Sequence, residues 1–404
     1  MDPIRNPYAP GAGQRPPELA GRDRELEQFA VTLARVASGR PERSLVLSGL
    51  RGVGKTVLLN ALRSLAVQRA WGTGKLEARP DRSLRLPIAQ AVHVAVRDLC
   101  HRHRDRERAE AVAGVVKAFA LRTAMADRVG HRWHPPTDVA AATGRADSGD
   151  LETDLVELFS DVAQLATDLS VGVAIFIDEM QDITSDELSA LCAACHEISQ
   201  QASPLVIVGA GLPHLPSALS ASKSYAERLF HYRVIDRLPR EQADRALLIP
   251  ASTEAVSYDS AALDELYRLT DGYPYFVQAY GKVTWDAAPS SPITLGDVTE
   301  AAPLAEAELA VGFFGARFDR ATPAERDYMR AVAELGARNH DGPVSTADVA
   351  ASLGRKPSSL SPARDGLIKK GLVFAEERGV VRFTVPHFGK FLRTQHDGAG
   401  SWAG

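Results

Sequence analysis

The chain has 404 residues, room for two to three domains of about 150 residues each, and its 45% apolar and 24% charged content lies near the globular average. That composition excludes a disordered, collagen-like or disulfide-scaffold protein. Forty-seven Lys and Arg against 51 Asp and Glu give a formal charge of −4, which excludes a basic field over the whole molecule. Yet residues 320–396 hold 13 basic and 8 acidic side chains, a local +5 against −9 elsewhere, as expected of one basic, nucleic-acid-facing module on an acidic body.

Residues 1–20 are rich in Pro and Gly and predict an extended arm, with no basic-plus-apolar leader pattern in Met1–Arg15. Helical spacing begins near Arg24, with Leu26, Phe29, Leu33 and Val36 on one stripe. Ser44 to Ser48 reads as a short apolar strand ending in Gly49, followed by a helix from Lys55 into Leu65. Residues 73–150 read as a helical insert: a helix around Ile88–Leu99, a charged run from His101 to Glu110, a helix near Val112–Ala126 and a polar loop over His134–Asp150. A helix from Leu151 leads to a strand at Val171–Ile177. Further strands are expected at Leu205–Val208, before Gly209-Ala210-Gly211, and at Tyr232–Leu238. Strands alternating with helices predict an α/β fold, a mostly parallel sheet flanked by helices, over residues 21–239. Only helices are expected in 240–318. Residues 319–396 change style, with three short helices and then two β-like runs. The strongest apolar stretch, Leu169–Ile177, is far shorter than the roughly 20 residues a membrane helix needs. Three cysteines are too few for a disulfide framework. The expectation is a cytoplasmic protein with no membrane partner.

Gly49-Leu50-Arg51-Gly52-Val53-Gly54-Lys55-Thr56 matches G-x-x-x-x-G-K-T in full, between an apolar strand and a helix. Glycines let backbone amides turn inward without Cβ clashes, and those amides and the helix N-terminus hold phosphate oxygens. Gly49, Gly52, Val53, Gly54, Lys55, Thr56 and Val57 are the expected nucleotide-binding residues. Lys55 reaches the β- and γ-phosphates of ATP, and the Thr56 hydroxyl ligates Mg²⁺. The complementary acidic group is expected at the end of a neighbouring buried strand, and Val173-Ala174-Ile175-Phe176-Ile177-Asp178-Glu179 supplies it. Asp178 is expected to hold Mg²⁺ through water, and Glu179 to polarise the attacking water. A structural glycine turn and an ordinary strand end are the bland readings, and neither explains both halves together. Two carboxylates also argue for hydrolysis, since holding a nucleotide does not need Glu179.

On these residues the chain resembles the AAA+ branch of P-loop ATPases. Within it the likeness is to the archaeal and bacterial initiator-like ATPases, near the signal-transduction ATPases with numerous domains. Ala20-Gly21-Arg22-Asp23-Arg24-Glu25-Leu26 is similar to the segment that packs on adenine, which implicates Arg22. Asp271-Gly272-Tyr273-Pro274 resembles the G-x-P motif of a helical lid, which implicates Pro274. The likeness covers about residues 17–290, with residues 73–150 as a family-variable insert. Arg228, in Glu227-Arg228-Leu229-Phe230, sits where the resemblance implies a catalytic arginine finger reaching the γ-phosphate of a second copy in a homo-oligomer. Pairing with Glu227 or Asp236 is the alternative. Two features depart from the pattern. Nothing in Gly209–Gly211 can serve as the polar γ-phosphate sensor after the third strand, and the lid lacks an obvious sensor arginine.

In the C-terminal segment, a helix over Val349–Leu353, a polar turn, a second helix carrying Leu360, Leu367 and Ile368, and a hairpin over 372–385 resemble a winged helix. Arg355, Lys356, Arg364, Lys369 and Lys370 lie on or beside the second helix, with Arg378 and Arg382 in the wing. Contacts to the phosphates of double-stranded DNA are one reading. A protein-docking or autoinhibitory module is the other. Cys192-Ala193-Ala194-Cys195-His196 matches the C-x-x-C-H haem pattern, but Leu188, Leu191, Cys192, Cys195 and Ile198 trace one apolar helical stripe behind a Thr184–Glu187 capping box. No haem is expected. The leading expectation is an ATP-hydrolysing switch acting on the C-terminal module, ahead of a signalling scaffold and a DNA-metabolism motor or helicase loader.

Overall fold

The computed structural model describes residues 1–11, 13–103, 106–122, 139–339, 341–375 and 379–397. The chain divides into two compact units. One comprises Arg22–Gly49 and Lys55–Ile235, and the other Met1–Gly21, Leu50–Gly54 and Asp236–Gly404.

The first unit is built on five parallel strands: β1 (Ser44–Ser48), β2 (Gly72–Glu77), β3 (Val173–Asp178), β4 (Leu205–Gly211) and β5 (Phe230–Val234). Their order across the sheet is β2-β3-β4-β1-β5. Every residue of β3 and β4 is buried, because helices cover both faces of a parallel sheet. That is why both strands read as unbroken apolar runs without alternation. Helices Lys55–Gln68, Arg85–His103, Leu151–Asp168 and Ser185–Gln200 supply the cover. Register aligns Ser48 with Gly211, and Glu77 with Asp178, along the C-terminal edge of the sheet.

Strand β2 corrects the expected helical insert, which opens with a sheet strand. Its sequence, Gly72-Thr73-Gly74-Lys75-Leu76-Glu77, is too polar and glycine-rich to read as one. A Cβ at Gly74 would lie 2.2 Å from the Ala91 carbonyl oxygen, and one at Gly72 2.7 Å from Leu99. Helix Arg85–His103 therefore rests directly on the strand backbone, and only glycine admits that approach. On the other face Lys75 Nζ donates to Asn60 Oδ1 at 2.6 Å. The next two helices run over Arg85–His103 and Arg106–Leu121, and the expected extension to Ala126 lies outside the described residues. Residues 139–150 form turns that end on Asp150, whose carboxylate caps helix Leu151–Asp168 through Thr153 N at 2.8 Å. Asp154 is fully buried and receives Arg85 Nη1 at 2.7 Å and Ser148 Oγ at 2.7 Å. Burial alone would raise its carboxyl, but the hydrogen bonds from Ser148 and Arg85 outweigh burial and hold it below the ordinary value. The last strand lies at Phe230–Val234, earlier than the expected Tyr232–Leu238. It finishes when Ile235 N donates to Ser48 O at 2.7 Å.

In the second unit the arm is only partly extended. It makes a short 3-10 turn over Pro3–Arg5 and then inserts Tyr8, 4% exposed, against helices Arg240–Thr253 and Pro274–Ala287. The Tyr8 hydroxyl lies 2.7 Å from both the Leu247 carbonyl and the Tyr258 hydroxyl, while Trp285 Nε1 donates to Asp2 O at 3.1 Å. Residues 240–318 are helical, as the sequence predicts: Arg240–Thr253, Ser260–Thr270, Pro274–Ala287, Leu295–Leu309, then a π-helical turn at Ala310–Gly315. Helices follow at Pro323–Gly336, Thr346–Ser352 and Pro357–Lys369, and then a three-stranded antiparallel sheet of β6 (Val344–Ser345), β7 (Val373–Ala375) and β8 (Val380–Phe383) in the order β6-β8-β7. Phe276, Phe313, Phe314, Phe383, Phe388 and Phe391 interlock as one aromatic core with centroids 5.3–5.9 Å apart.

Candidate nucleotide site

The phosphate loop leaves β1 at Gly49, whose amide donates to Gly211 O at 3.2 Å, and re-enters regular structure at Lys55, the first residue of helix Lys55–Gln68. Gly52 and Gly54 take φ of +88° and +92°, values that L side chains rarely adopt. Gly52 is constrained twice, since a Cβ there would meet the Tyr273 ring at 3.0 Å. Val53 is fully buried and Val57 half-buried. Lys55 is 9% exposed, and its ammonium donates to Gly49 O at 2.9 Å.

Asp178 ends β3, 5% exposed, and shares a hydrogen bond with the Thr56 hydroxyl. Burial pushes its carboxyl above the ordinary value, against the opposing pull of the Thr56 contact. Thr56 and Asp178, each expected to serve Mg²⁺, are thus neighbours. Glu179 follows in the left-handed region, φ 52° and ψ 41°, a conformation that costs a non-glycine residue about 1–2 kcal/mol. Such a turn is kept where the surroundings over-determine it. Glu179 N donates to Asp178 Oδ1 at 3.0 Å, while Met180 is fully buried under β4.

Gln181 is the residue that motif reading passes over. Its Nε2 donates to Glu179 Oε2, and its Oε1 accepts from Leu212 N at 3.1 Å. The available signal was Gly209-Ala210-Gly211 itself. A Cβ at Gly209 would lie 2.0 Å from Met180 Sδ, and one at Gly211 2.9 Å from Gln181 Oε1. The glycines that remove the usual polar sensor make room for the turn that carries Gln181.

The sequence-predicted residues divide between the units. Gly49, Lys55, Thr56, Val57, Arg22, Asp178, Glu179 and Arg228 fall in the first, and Gly52, Val53, Gly54 and Pro274 in the second. Arg22 is 9% exposed at the start of helix Asp23–Ala37. Arg228 is exposed on the short helix Ala226–Leu229 and lines an open cavity of about 570 Å³ with Arg43, His231 and Arg233. Pro274 opens helix Pro274–Ala287, with Tyr273 as the residue before it. Of the basic residues in the C-terminal module, Arg355, Lys356 and Lys369 are exposed. Arg364 pairs with Asp365 at 3.0 Å, and Lys370 turns onto the buried Glu325. Arg378 lies outside the described residues. The Thr184–Glu187 capping box is present, and Cys192 and Cys195 are buried with Leu188, Leu191 and Ile198. No described helix is long and apolar enough to cross a membrane.

Residues 18–208 match the family model described as the AAA ATPase domain, and residues 311–392 match a domain of unknown function (DUF8462). No curated protein matches the chain. Among solved structures, a Walker-type ATPase of Pyrococcus abyssi is 14% identical, with 94% of this chain and 97% of that one covered at a TM-score of 0.59. The RuvB Holliday junction branch migration motor of Thermotoga maritima is 17% identical, with 92% and 96% covered at 0.45. Cdc6p from Pyrobaculum aerophilum is 14% identical, with 98% and 99% covered at 0.41. The parallel sheet, the complete phosphate loop and the domain match define a P-loop NTPase fold of the AAA+ type. The chain carries an AAA ATPase domain over residues 18–208, and the protein is an ATPase.

Proposed function

We propose that this ATPase is a nucleotide-driven switch: ATP or ADP held at the phosphate loop sets the state of a C-terminal winged-helix module that binds double-stranded DNA. The functional divisions are the arm 1–20, the ATPase core 21–239 with its insert 73–150, the lid and linker 240–318, and the module 319–396. Loop amides and Lys55 hold the β- and γ-phosphates, Arg22 belongs to the segment that resembles an adenine-packing one, and Pro274 to the motif that resembles the G-x-P of a lid. Glu179 takes a proton from the attacking water. Thr56 and Asp178 offer a hydroxyl and a carboxylate already in contact, hard oxygen donors of the kind Mg²⁺ prefers. Bound there, the ion would neutralise charge on the phosphates. Arg228, exposed on its short helix, is the residue assigned to reach the nucleotide of a second copy in a cytoplasmic homo-oligomer.

A single hydroxyl carries the switch reading. Tyr273, 2% exposed, sits before the lid helix with its hydroxyl 2.9 Å from the Arg51 carbonyl of the loop and 2.7 Å from the Thr384 carbonyl just after β8. Carbonyl oxygens only accept, and a tyrosine has one proton to give. Two acceptors compete for that proton, one in the phosphate loop and one in the C-terminal module. Anything that moves the loop carbonyl changes the bond left for Thr384.

The test is affinity for a mixed-sequence duplex, titrated with salt, in ADP and in a slowly hydrolysed ATP analogue. Binding is expected to fall steeply with salt and to differ between the nucleotides, with exposed Arg355, Lys356 and Lys369 as the phosphate contacts. No binding even at low salt would favour a signalling scaffold whose module docks on protein. The engagement of Arg364 and Lys370 with Asp365 and Glu325 supports that second reading.

A further inference from the structure

The ATPase site lacks a polar residue where β4 ends, since Gly209, Ala210 and Gly211 carry no hydrogen-bonding side chain. We propose that Gln181 restrains the catalytic carboxylate: its amide bridges Glu179 to the end of β4 and positions the carboxylate to accept a proton from the water that attacks ATP. The proposal rests on the reading of Glu179 as the general base.

Hydrogen-bonding chemistry fixes which way the amide points. Leu212 N–H can only donate, so the atom facing it at 3.1 Å is the amide oxygen. The NH₂ then faces Glu179 and donates to its carboxylate oxygen Oε2. One orientation satisfies both neighbours, and the flipped one satisfies neither. The bridge spans two elements: Glu179 sits in a left-handed turn after β3, and Leu212 follows β4. Three features of the sequence make room for it. Gly209 admits the fully buried Met180, Gly211 admits Gln181 and Leu215, and the left-handed turn at Glu179 directs the chain under β4. A carboxylate on a strained turn has several rotamers open to it, and a donor anchored to a sheet strand removes most of them. Catalytic groups misplaced by about 1 Å lose up to about a hundredfold in rate, so the restraint bears on turnover and not on nucleotide binding. Gln181 is therefore a positioning residue.

The experiment compares Gln181→Ala, Gln181→Glu, Glu179→Gln and the double variant Glu179→Gln/Gln181→Ala, measuring ATP affinity and single-turnover hydrolysis for each. Gln181→Ala is expected to bind ATP as the wild type does and to hydrolyse it about ten- to hundredfold more slowly. Gln181→Glu keeps an acceptor for Leu212 N but sets a second carboxylate against Glu179, and it is expected to be at least as slow as the alanine variant. The double variant is expected to match Glu179→Gln alone, because a residue acting only through Glu179 has nothing left to act on. Additive losses in the double variant, or wild-type turnover in Gln181→Ala, would overturn the positioning role. Wild-type turnover in Glu179→Gln would instead remove the general-base assignment. If Gln181→Ala unfolds, Gln181→Glu read against Glu179→Gln still decides the question.

Discussion

Lys55→Ala is expected to abolish ATP binding, and turnover with it. Lys55 is buried at the first turn of its helix, and its ammonium already lies at the loop, donating to Gly49 O. When phosphates enter, the ammonium exchanges a neutral carbonyl for charged oxygens, and hydrogen bonds to charged groups are worth about 1.5–3 kcal/mol each. Losing one or two such bonds lowers affinity by about a hundredfold or more. Calorimetric titration with ATP reads this directly, and nucleotide-dependent thermal stabilisation should vanish in parallel. Alanine is the best helix former, so the fold itself should survive. Wild-type affinity in this variant would detach the loop from nucleotide binding.

Glu179→Gln is expected to separate binding from chemistry. A general base contributes about 10²–10⁴ in rate, and the amide side chain has the carboxylate's shape but almost none of its basicity. The local geometry is retained, because the Gln181 NH₂ that donates to Glu179 can donate equally to an amide oxygen. ATP affinity should stay near wild type while single-turnover hydrolysis falls by about two to four orders of magnitude. Undiminished hydrolysis in both this variant and Lys55→Ala would discard the assignment of the site altogether.

Much of this site was legible because its parts are short-range. The spacing from Gly49 to Thr56, and an apolar strand ending in Asp178-Glu179, are local patterns, and β1, β3 and β4 stand out as buried runs. The exceptions are long-range in origin. Gly72 and Gly74 make β2 look like a loop until helix Arg85–His103 is laid on it. Gln181 has no meaning in sequence until β4 comes alongside the turn at Glu179. Tyr273 reads as the variable position of a G-x-P motif, yet its hydroxyl lies against carbonyls 222 and 111 positions away in the chain. Lys370 looks like one more surface cation until Glu325 is placed under it, beside Gly366, where a Cβ would lie 2.3 Å from the Glu325 carboxylate. Periodicity and motif spacing report neighbours along the chain, and these residues act through neighbours across it.

The proposed switch requires that the phosphate loop and the C-terminal module be coupled through the Tyr273 hydroxyl. Amide hydrogen exchange over residues 371–388, in ADP and in a slowly hydrolysed ATP analogue with Mg²⁺, tests it most directly, with wild type and Tyr273→Phe side by side. The phenylalanine keeps the ring packed at 5.5 Å from Phe276 and removes only the shared proton. A hydrogen bond worth about 1 kcal/mol corresponds to about a fivefold change in the local opening equilibrium. The wild type should show at least that difference between the two nucleotides, and Tyr273→Phe should show none. Identical exchange in both nucleotides for the wild type, with binding confirmed, would contradict the switch.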